Sequence, residues 1–354
     1  MKRMTSIEFL RIYAALSIAF LHFDQFLGTK NPLSSKAYIW VEFFLMVTGF
    51  FMMKGILENN GDKPLKNPLA YTLGKAKAIW GIYAFSFFFT FAIREITSGK
   101  ATLKVVLSEL WHFKWEFLML HMAGFTPNPQ FNTDYLNPSA WYLSSLLLGV
   151  LLVYPLAVRL REKFCTTVAP LFMLAVYCFF MQSYKTMDAG NQIVLCTMAG
   201  NLRAVAGLCG GALSYHCFTV AKNRKTNKTT QDILNIASWL SIPCLTIFCR
   251  HIPEPDMLVY VVVFLLILIQ CAANEGPISR FLNSHGNTVL ASCGSHSIAV
   301  YLLHFGIILI WRKWLPSFIG KAGHITYLVV LIAFSVLVLR LGQAIKKKIL
   351  RQAS

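Results

Sequence analysis

The sequence predicts an all-α, polytopic membrane protein with about ten transmembrane helices. Of its 354 residues, 56% are hydrophobic and 14% are charged, whereas about a quarter of the residues in a typical soluble domain are charged. Apolar runs of roughly 18 to 22 residues recur along the chain, and each can cross a ~30 Å hydrocarbon core as a helix. The alternating pattern of a membrane β-barrel is absent.

Ten runs have the composition of a span. In chain order they are Ser6–Leu27, Tyr38–Leu57, Ala78–Ile93, Ala140–Val158, Thr166–Ser183, Ile193–Cys217, Leu234–Cys249, Met257–Ala273, Val289–Ile310 and Ile325–Leu341. The opening MKRMTS leads into the first run without a cleavage pattern of small residues, so we expect that run to be retained as an anchor. We therefore expect one transmembrane domain, 1–354, ending in a basic cytoplasmic tail, 346–354.

The net charge of +18 is explained by orientation rather than by nucleic-acid binding. Basic residues concentrate in alternate short loops and in the tail, and the other loops hold about half as many. This asymmetry predicts that both termini are cytoplasmic. The nine cysteines contain no CxxC pair, and no histidines have ligand spacing, so we expect no metal site.

One further apolar stretch, Val105–Gly124, interleaves Glu109, His112, Lys114 and Glu116. Counting it as a span would place the basic segment 159–163 outside, against the charge rule. We therefore expect an interfacial or re-entrant helix on the outer face.

The first span carries two ionisable residues, Arg11 and His22, in RIYAALSIAFLH. Eleven residues at 100° each make three turns plus about 20°, so both side chains project from one helix face, ~16 Å apart. Ionisable groups in a span usually face the bundle interior or a wet cavity. Alternatively, Arg11 snorkels while paired with Glu8, and His22 is an interhelical hydrogen bonder.

The second span begins VEFFLMVTGFF and places Glu42 at about the depth of His22. This predicts a pair of His22 and Glu42, in which the carboxylate fixes the imidazole tautomer. The other ring nitrogen would then be free to take a proton from a hydroxyl. The alternative is that Glu42 reaches water at the membrane surface.

These segments resemble a known family. RIYAALSIAFLH is similar to the R-x10-H signature of bacterial acyltransferase-3 membrane proteins, and VEFFLMVTGFF resembles their second span. Three later segments agree in order: NPSAWYLSSLLLGVLLVYP resembles the family's Trp-x-Leu span, NLRAVAGLCGGAL its arginine-and-glycine span, and SHSIAVYLLHFGII its late Ser-x-x-x-Tyr-Leu-x-His segment. The similarity therefore extends from one end of the chain to the other.

The resemblance implies an O-acyltransferase of the bacterial inner membrane. Such proteins pass an acyl group, commonly acetyl from cytoplasmic acetyl-CoA, to a hydroxyl of an envelope glycan or glycolipid. No permanently bound cofactor is implied. His22 matches the proposed catalytic histidine, Arg11 its partner, and Glu42 the acidic residue of the second span.

The chain departs from the family pattern at two places. Many members carry a glutamate five residues after the tryptophan at Trp141, where this chain has Leu146. The family's basic cytoplasmic motif appears here as GKAKAIWGIY, with Lys75 and Lys77. These lysines bind the phosphates of the acyl-CoA donor, or they serve only as positive-inside residues.

Four more residues are candidates for substrate binding. Arg203 lies too deep in the sixth span to snorkel easily, so we expect it to face the interior and contact a carbonyl, a carboxylate or the donor. Trp141 stacks on a sugar or belongs to the aromatic belt. Tyr301 and His304, one turn apart, line the cavity or form structural hydrogen bonds. Gly200, Gly207 and Gly211 are expected to allow close helix packing rather than to cradle phosphate.

A transporter or flippase for a glycan or lipid-linked substrate is the alternative function, because buried ionisable residues also form transport pathways. Transporters more often contain paired broken helices in two related halves, and no such repeat is visible here. Most of the spans also lack an acidic residue, which argues against proton coupling.

Overall fold

The protein is almost entirely helical, as the sequence predicts. The computed structural model describes residues 4–29, 31, 33–59, 65–99, 102–123, 135–194, 197–224, 227–253, 258–285 and 289–352. Helices account for 84% of the structure. Nine described helices are long and apolar enough to cross a membrane, and a bent pair brings the number of spans to ten.

The helices fall into long spans and short connecting elements. They are α1 (Thr5–Leu27), α2 (Trp40–Leu57), α3 (Pro68–Ser98), α4 (Leu103–His112), α5 (Lys114–Phe117), α6 (Trp141–Leu160), α7 (Ala169–Ser183), α8 (Ala199–Lys222), α9 (Lys228–Phe248), α10 (Leu258–Ala273), α11 (Pro277–His285), α12 (Val289–Trp314) and α13 (Gly320–Gln352). Short 3-10 turns precede α2 (Ala37–Ile39) and α6 (Pro138–Ala140), another covers His121–Ala123, and a π-helical turn (Phe164–Val168) leads into α7. The bent pair is α10 with α11, which meet at 58°.

Two predicted spans need correction. The predicted span Ile193–Cys217 begins six residues early, because β1 (Ile193–Val194) and β2 (Thr197–Met198) form an antiparallel hairpin before α8. The predicted span Ala78–Ile93 is only the apolar middle of the 31-residue helix α3. Helix α13 continues through Gln352, so the described part of the expected tail 346–354 is helical.

The stretch Val105–Gly124 does not form a spanning helix. It divides into the ten-residue α4, the four-residue α5 and the turn His121–Ala123, while Gly124 lies outside the described residues. No residue of α4 is buried, but Glu116 of α5 is. The interfacial or re-entrant interpretation therefore fits the described part of this segment.

Two helix pairs form the centre of the bundle, α1 with α12 and α2 with α8. The second pair approaches closely because glycines lie at its contact. A Cβ atom at Gly49 would overlap the backbone of Leu208, and one at Gly211 would overlap the backbone of Met46. The expectation that α8 glycines serve helix packing is thus confirmed at Gly207 and Gly211.

Chain direction brings four helix termini together at one end of the bundle. Helix α1 ends there, and α2, α6 and α8 begin there. We call this the site end, because it carries His22, Trp141 and Arg203. Arg11 lies in the half of α1 that is nearer the opposite end.

Replacing Gly211 with alanine tests the close packing of α2 and α8. The added methyl group has no space between the helix backbones, so we expect a loss of about 1–3 kcal/mol in the free energy of unfolding. The measurement is reversible unfolding of the purified protein in detergent micelles. Gly55→Ala is the matched control on α2, where an added Cβ meets nothing within 4 Å. Equal stability of the two variants would contradict the close contact.

Candidate functional site

A small polar cavity lies at the site end. Its volume is about 50 Å³, which accommodates a few non-hydrogen atoms but not a sugar ring. Five helices and two connecting segments contribute its walls. The lining residues are Ile18, Leu21, His22, Gln25, Tyr38, Val41, Trp141, Asp188, Arg203 and Tyr301.

His22 and His304 form the polar centre beside this cavity. The Nδ1 atom of His22 lies 2.7 Å from the Nε2 atom of His304, and the rings stack with centroids 5.0 Å apart. The Ser139 hydroxyl lies 3.2 Å from the same His22 nitrogen and 3.0 Å from the same His304 nitrogen. Three separate elements, α1, α12 and the turn before α6, therefore meet at one hydrogen-bonded cluster.

The hydrogen bonds of this cluster determine the tautomer of each neutral ring. The Nδ1 atom of His304 lies 2.6 Å from the backbone oxygen of Tyr301, which can only accept, so this nitrogen carries the proton. The Nε2 atom of a neutral His304 is then an acceptor, and His22 Nδ1 donates to it. This assignment leaves a lone pair on Nε2 of His22, the side chain that lines the cavity.

Ser139 is held in place from two directions. Asn137 accepts a hydrogen bond from the backbone N–H of Ser139 and donates one to the backbone oxygen of Leu302 on α12. The buried Glu116 carboxylate accepts hydrogen bonds from the backbone N–H groups of Leu136 and Asn137, at 2.9 and 2.8 Å. Helix α5 therefore fixes the turn that presents the serine.

The predicted pair of His22 and Glu42 is not formed. Glu42 instead binds Arg203 through both carboxylate oxygens, which accept from Nε and Nη2 of the guanidinium. Both side chains are fully buried, and Nη2 also donates to the backbone oxygen of Tyr38 at 3.1 Å. The partner of Glu42 therefore lies on α8 rather than on α1.

One nitrogen of Arg203 remains available. Its Nη1 atom has no hydrogen-bond partner although it is buried, and Arg203 lines the cavity that His22 also lines. An unpartnered guanidinium N–H in a buried position is costly, so it favours a ligand that brings an oxygen acceptor. A carbonyl oxygen that becomes negative during a reaction is such an acceptor.

Trp141 lies against the guanidinium of Arg203, whose central carbon, Cζ, is 5.3 Å from the centroid of the indole ring. The indole also packs against Gly190 and Gly200, where an added Cβ would contact its ring atoms. Trp141 therefore lines the cavity as a wall that holds Arg203 through a cation–π contact. This placement differs from an aromatic-belt residue that faces lipid.

The remaining predicted residues lie away from the cavity. Arg11 forms a hydrogen-bonded ion pair with Glu8 at 3.3 Å. Lys75 lies over the Tyr71 ring at 5.1 Å, and Lys77 is exposed. Both lysines lie near the start of α3, towards the opposite end of the bundle.

Four residues of the site escaped the sequence interpretation, namely Ser139, Asn137, Gln25 and Asp188. The Asn-Pro-Ser order just before the Trp141 helix is typical of a capped helix start, and this signal identifies Asn137. Gln25 and Asp188 carry no pattern of their own. No group of three or more metal-ligating side chains occurs within the described ranges.

A comparison with protein-family models matches residues 4–341 to the family described as an acyltransferase domain. No curated protein and no solved structure matches the chain.

Removing the counter-ion of Arg203 tests the buried pair. Glu42→Leu leaves an uncompensated buried charge, so we expect a loss of about 3–5 kcal/mol in the free energy of unfolding. The double variant Glu42→Leu with Arg203→Met should recover most of this loss, because no unpaired charge remains. The measurement is a double-mutant cycle of unfolding in detergent micelles.

The exposed pair of Asp232 and Arg280, 3.2 Å apart, provides the control. Asp232→Asn should change stability by no more than about 1 kcal/mol. A similarly small effect of Glu42→Leu would show that Arg203 does not depend on this carboxylate.

Proposed function

Because the chain belongs to the acyltransferase family that its residues 4–341 match, we propose that the cavity transfers an acyl group from cytoplasmic acyl-CoA, chiefly acetyl-CoA, to a hydroxyl of an envelope or surface glycan or glycolipid. The protein is a multi-pass membrane acyltransferase. One observation carries the finer proposal. An imidazole with a free nitrogen and a guanidinium with a free N–H line the same buried cavity.

His22 acts as the general base in this proposal. Its Nε2 lone pair accepts the proton of the acceptor hydroxyl as the oxygen attacks the thioester carbonyl carbon. His304 and Ser139 hold the ring through Nδ1, so the base nitrogen faces the substrate. His304 is thus a positioning residue, because it contacts His22 rather than the reacting atoms.

Arg203 stabilises the developing oxyanion. The thioester carbonyl oxygen gains negative charge on attack, and the unpartnered Nη1–H donates to it. Glu42 holds the guanidinium by two hydrogen bonds. The Nη1–H group of Arg203 therefore needs little reorganisation during the reaction. Trp141 supports the opposite side of the same group.

The bonds and protons of the step balance. A C–O bond forms to the acceptor, the C–S bond breaks, and the proton held by His22 passes to the departing thiolate of coenzyme A. A covalent acyl-histidine intermediate uses the same residues, with His22 as the nucleophile in a first half-reaction. Both routes need the Nε2 lone pair of His22.

The donor approaches along α1 from the end opposite the cavity. Arg11 lies ~16 Å from His22 along the same helix face, a spacing comparable to the reach of an extended phosphopantetheine arm. A guanidinium suits phosphate oxygens, and Lys75 and Lys77 add positive charge towards the same end. With the cytoplasmic termini that the charge distribution favours, this end faces the acyl-CoA pool beneath the bacterial inner membrane.

The acceptor enters from the site end. The 50 Å³ cavity holds only the reacting hydroxyl and carbonyl, so a sugar ring lies at the mouth. There Gln25 and Asp188, both exposed, offer an amide and a carboxylate for neighbouring hydroxyls. Tyr301 closes the inner wall, with its hydroxyl donating to the backbone oxygen of Ser139 at 2.8 Å.

Replacing His22 tests the base directly. His22→Ala should lower the turnover number for acetyl transfer by about 10²–10⁴-fold, because no other described residue that lines the cavity offers a basic nitrogen lone pair. The measurement uses purified protein in liposomes, labelled acetyl-CoA and envelope glycans extracted from cells that lack the protein. His251→Ala, at an exposed histidine, is the control and should react at the wild-type rate.

Transfer by His22→Ala at the wild-type rate would refute the catalytic role of this histidine. Unchanged acetylation of surface glycans in cells that lack the protein would instead refute the acceptor class.

Two substitutions of His304 separate positioning from general packing. Glutamine can present its amide oxygen near the Nε2 position and keep the hydrogen bond from His22, whereas asparagine reaches only the Nδ1 position. We expect His304→Asn to lower the turnover number by about tenfold or more, with little change in KM for acetyl-CoA. His304→Gln should retain most of the activity.

The same pair of variants is compared by ¹⁵N NMR of the His22 ring. His304→Asn should raise the fraction of the tautomer protonated at Nε2, and His304→Gln should not. Equal turnover and equal tautomer populations in both variants would contradict the positioning role.

A further inference from the structure

A second cavity, of about 670 Å³, lies at the end of the bundle opposite the site end. The last turns of α8 and α10 and the first turns of α9 form most of its wall. Its interior is apolar, with side chains that include Phe218, Leu234 and Ile269. None of its lining residues belongs to α1, α6 or α12, the helices next to the hydrogen-bonded cluster of His22, Ser139 and His304.

The helix ends place this cavity at the membrane surface. Arg203, beside the candidate site, and Lys222, on the cavity wall, are nineteen residues apart on α8, which corresponds to about 28 Å along the helix. This distance is close to the ~30 Å thickness of the hydrocarbon core. The mouth of the cavity therefore lies at the headgroup level of one leaflet, and its apolar wall extends towards the acyl chains.

The charges at the mouth favour an anion. Lys222 and Arg224 line the cavity, and neither forms an ion pair with another residue in the part of the chain that the structure describes. The first turn of α9 contributes Gln231 and the positive end of the helix dipole. Glu275 is the acidic lining residue and opposes an anion.

We propose that this cavity binds an anionic phospholipid of the surrounding leaflet. The phosphate contacts Lys222 and Arg224, and one acyl chain lies along the apolar wall of α9 and α10. Basic pockets between transmembrane helices recognise anionic headgroups in this way. This site is separate from the proposed donor route, because none of its lining residues belongs to α1, along which the donor is proposed to enter.

The experiment measures lipid binding to the full-length protein in detergent by native mass spectrometry. Phosphatidylglycerol and phosphatidylcholine with identical acyl chains are titrated separately. The double variant Lys222→Gln with Arg224→Gln should bind phosphatidylglycerol roughly 30-fold more weakly, at about fivefold for each lost cation. Glu275→Gln should bind it more tightly, a change in the opposite direction that a folding defect does not produce.

Lys346→Gln with Lys347→Gln removes two exposed cations of α13 and should leave phosphatidylglycerol binding unchanged. Three outcomes would overturn the proposal: equal binding by the Lys222/Arg224 double variant and the wild type, equal binding of both lipids by the wild type, or displacement of the lipid by inorganic phosphate or by acetyl-CoA. The first outcome would show that these cations do not bind the lipid. The second would show that the cavity recognises acyl chains without regard to the headgroup. The third would show that it binds free anions or the acyl-CoA donor instead. None of these measurements depends on acyltransferase activity.

Discussion

The structure of the site depends on a buried ion pair between α2 and α8. Two charges removed from water require mutual hydrogen bonding to offset their desolvation, and Glu42 supplies two of the acceptors that Arg203 needs. This requirement fixes the register and rotation of the two helices. The glycines at their contact follow from it, because a short distance between helix axes lets the short glutamate side chain reach the guanidinium. The pair also leaves Nη1 as the free donor, since the carboxylate and the Tyr38 carbonyl occupy Nε and Nη2.

The histidine cluster adds a second constraint, which involves α1, α12 and the turn before α6. Each hydrogen bond in it has a direction set by the Tyr301 carbonyl, which cannot donate. A change at Ser139 or His304 therefore alters which nitrogen of His22 carries its proton, although neither residue needs to touch the substrate. The loop around Glu116 belongs to the same constraint, because it holds Asn137 and, through it, Ser139. A four-residue helix that is too short to cross a membrane thus contributes to the geometry of a buried site.

The sequence predicts most of the fold, because the length of an apolar run is set directly by bilayer thickness. It fails where hydrophobicity does not distinguish a strand from a helix, as at Ile193–Val194. For the site, the expectation that Arg203 faces the interior agrees with its full burial, although the span was predicted to begin at Ile193 and α8 begins at Ala199, so Arg203 lies in the second turn of its helix. The partner of Glu42 depends on how α1, α2 and α8 are rotated and which of them are neighbours. The depth of a residue in the membrane does not determine either property. Ser139 and Asp188 lie in segments that connect helices. Such segments have no hydrophobic periodicity, so the sequence does not predict where they place their side chains.

The size of the cavity constrains how a thioester and a sugar can react across a membrane. A permanently open channel wide enough for both substrates would admit water, and water competes with the acceptor hydroxyl for the acyl group. A 50 Å³ cavity excludes all but the reacting atoms. In the proposed reaction, the donor enters along α1, between Arg11 and His22, while the sugar stays at the mouth near Gln25 and Asp188. The His304 and Ser139 bonds to His22 hold α1 at the site end, and in its opposite half the side chain of Arg11 is one-third exposed. In this proposal, the half of α1 that carries Arg11 receives the donor, and the half that carries His22 contributes to the narrow cavity that excludes water.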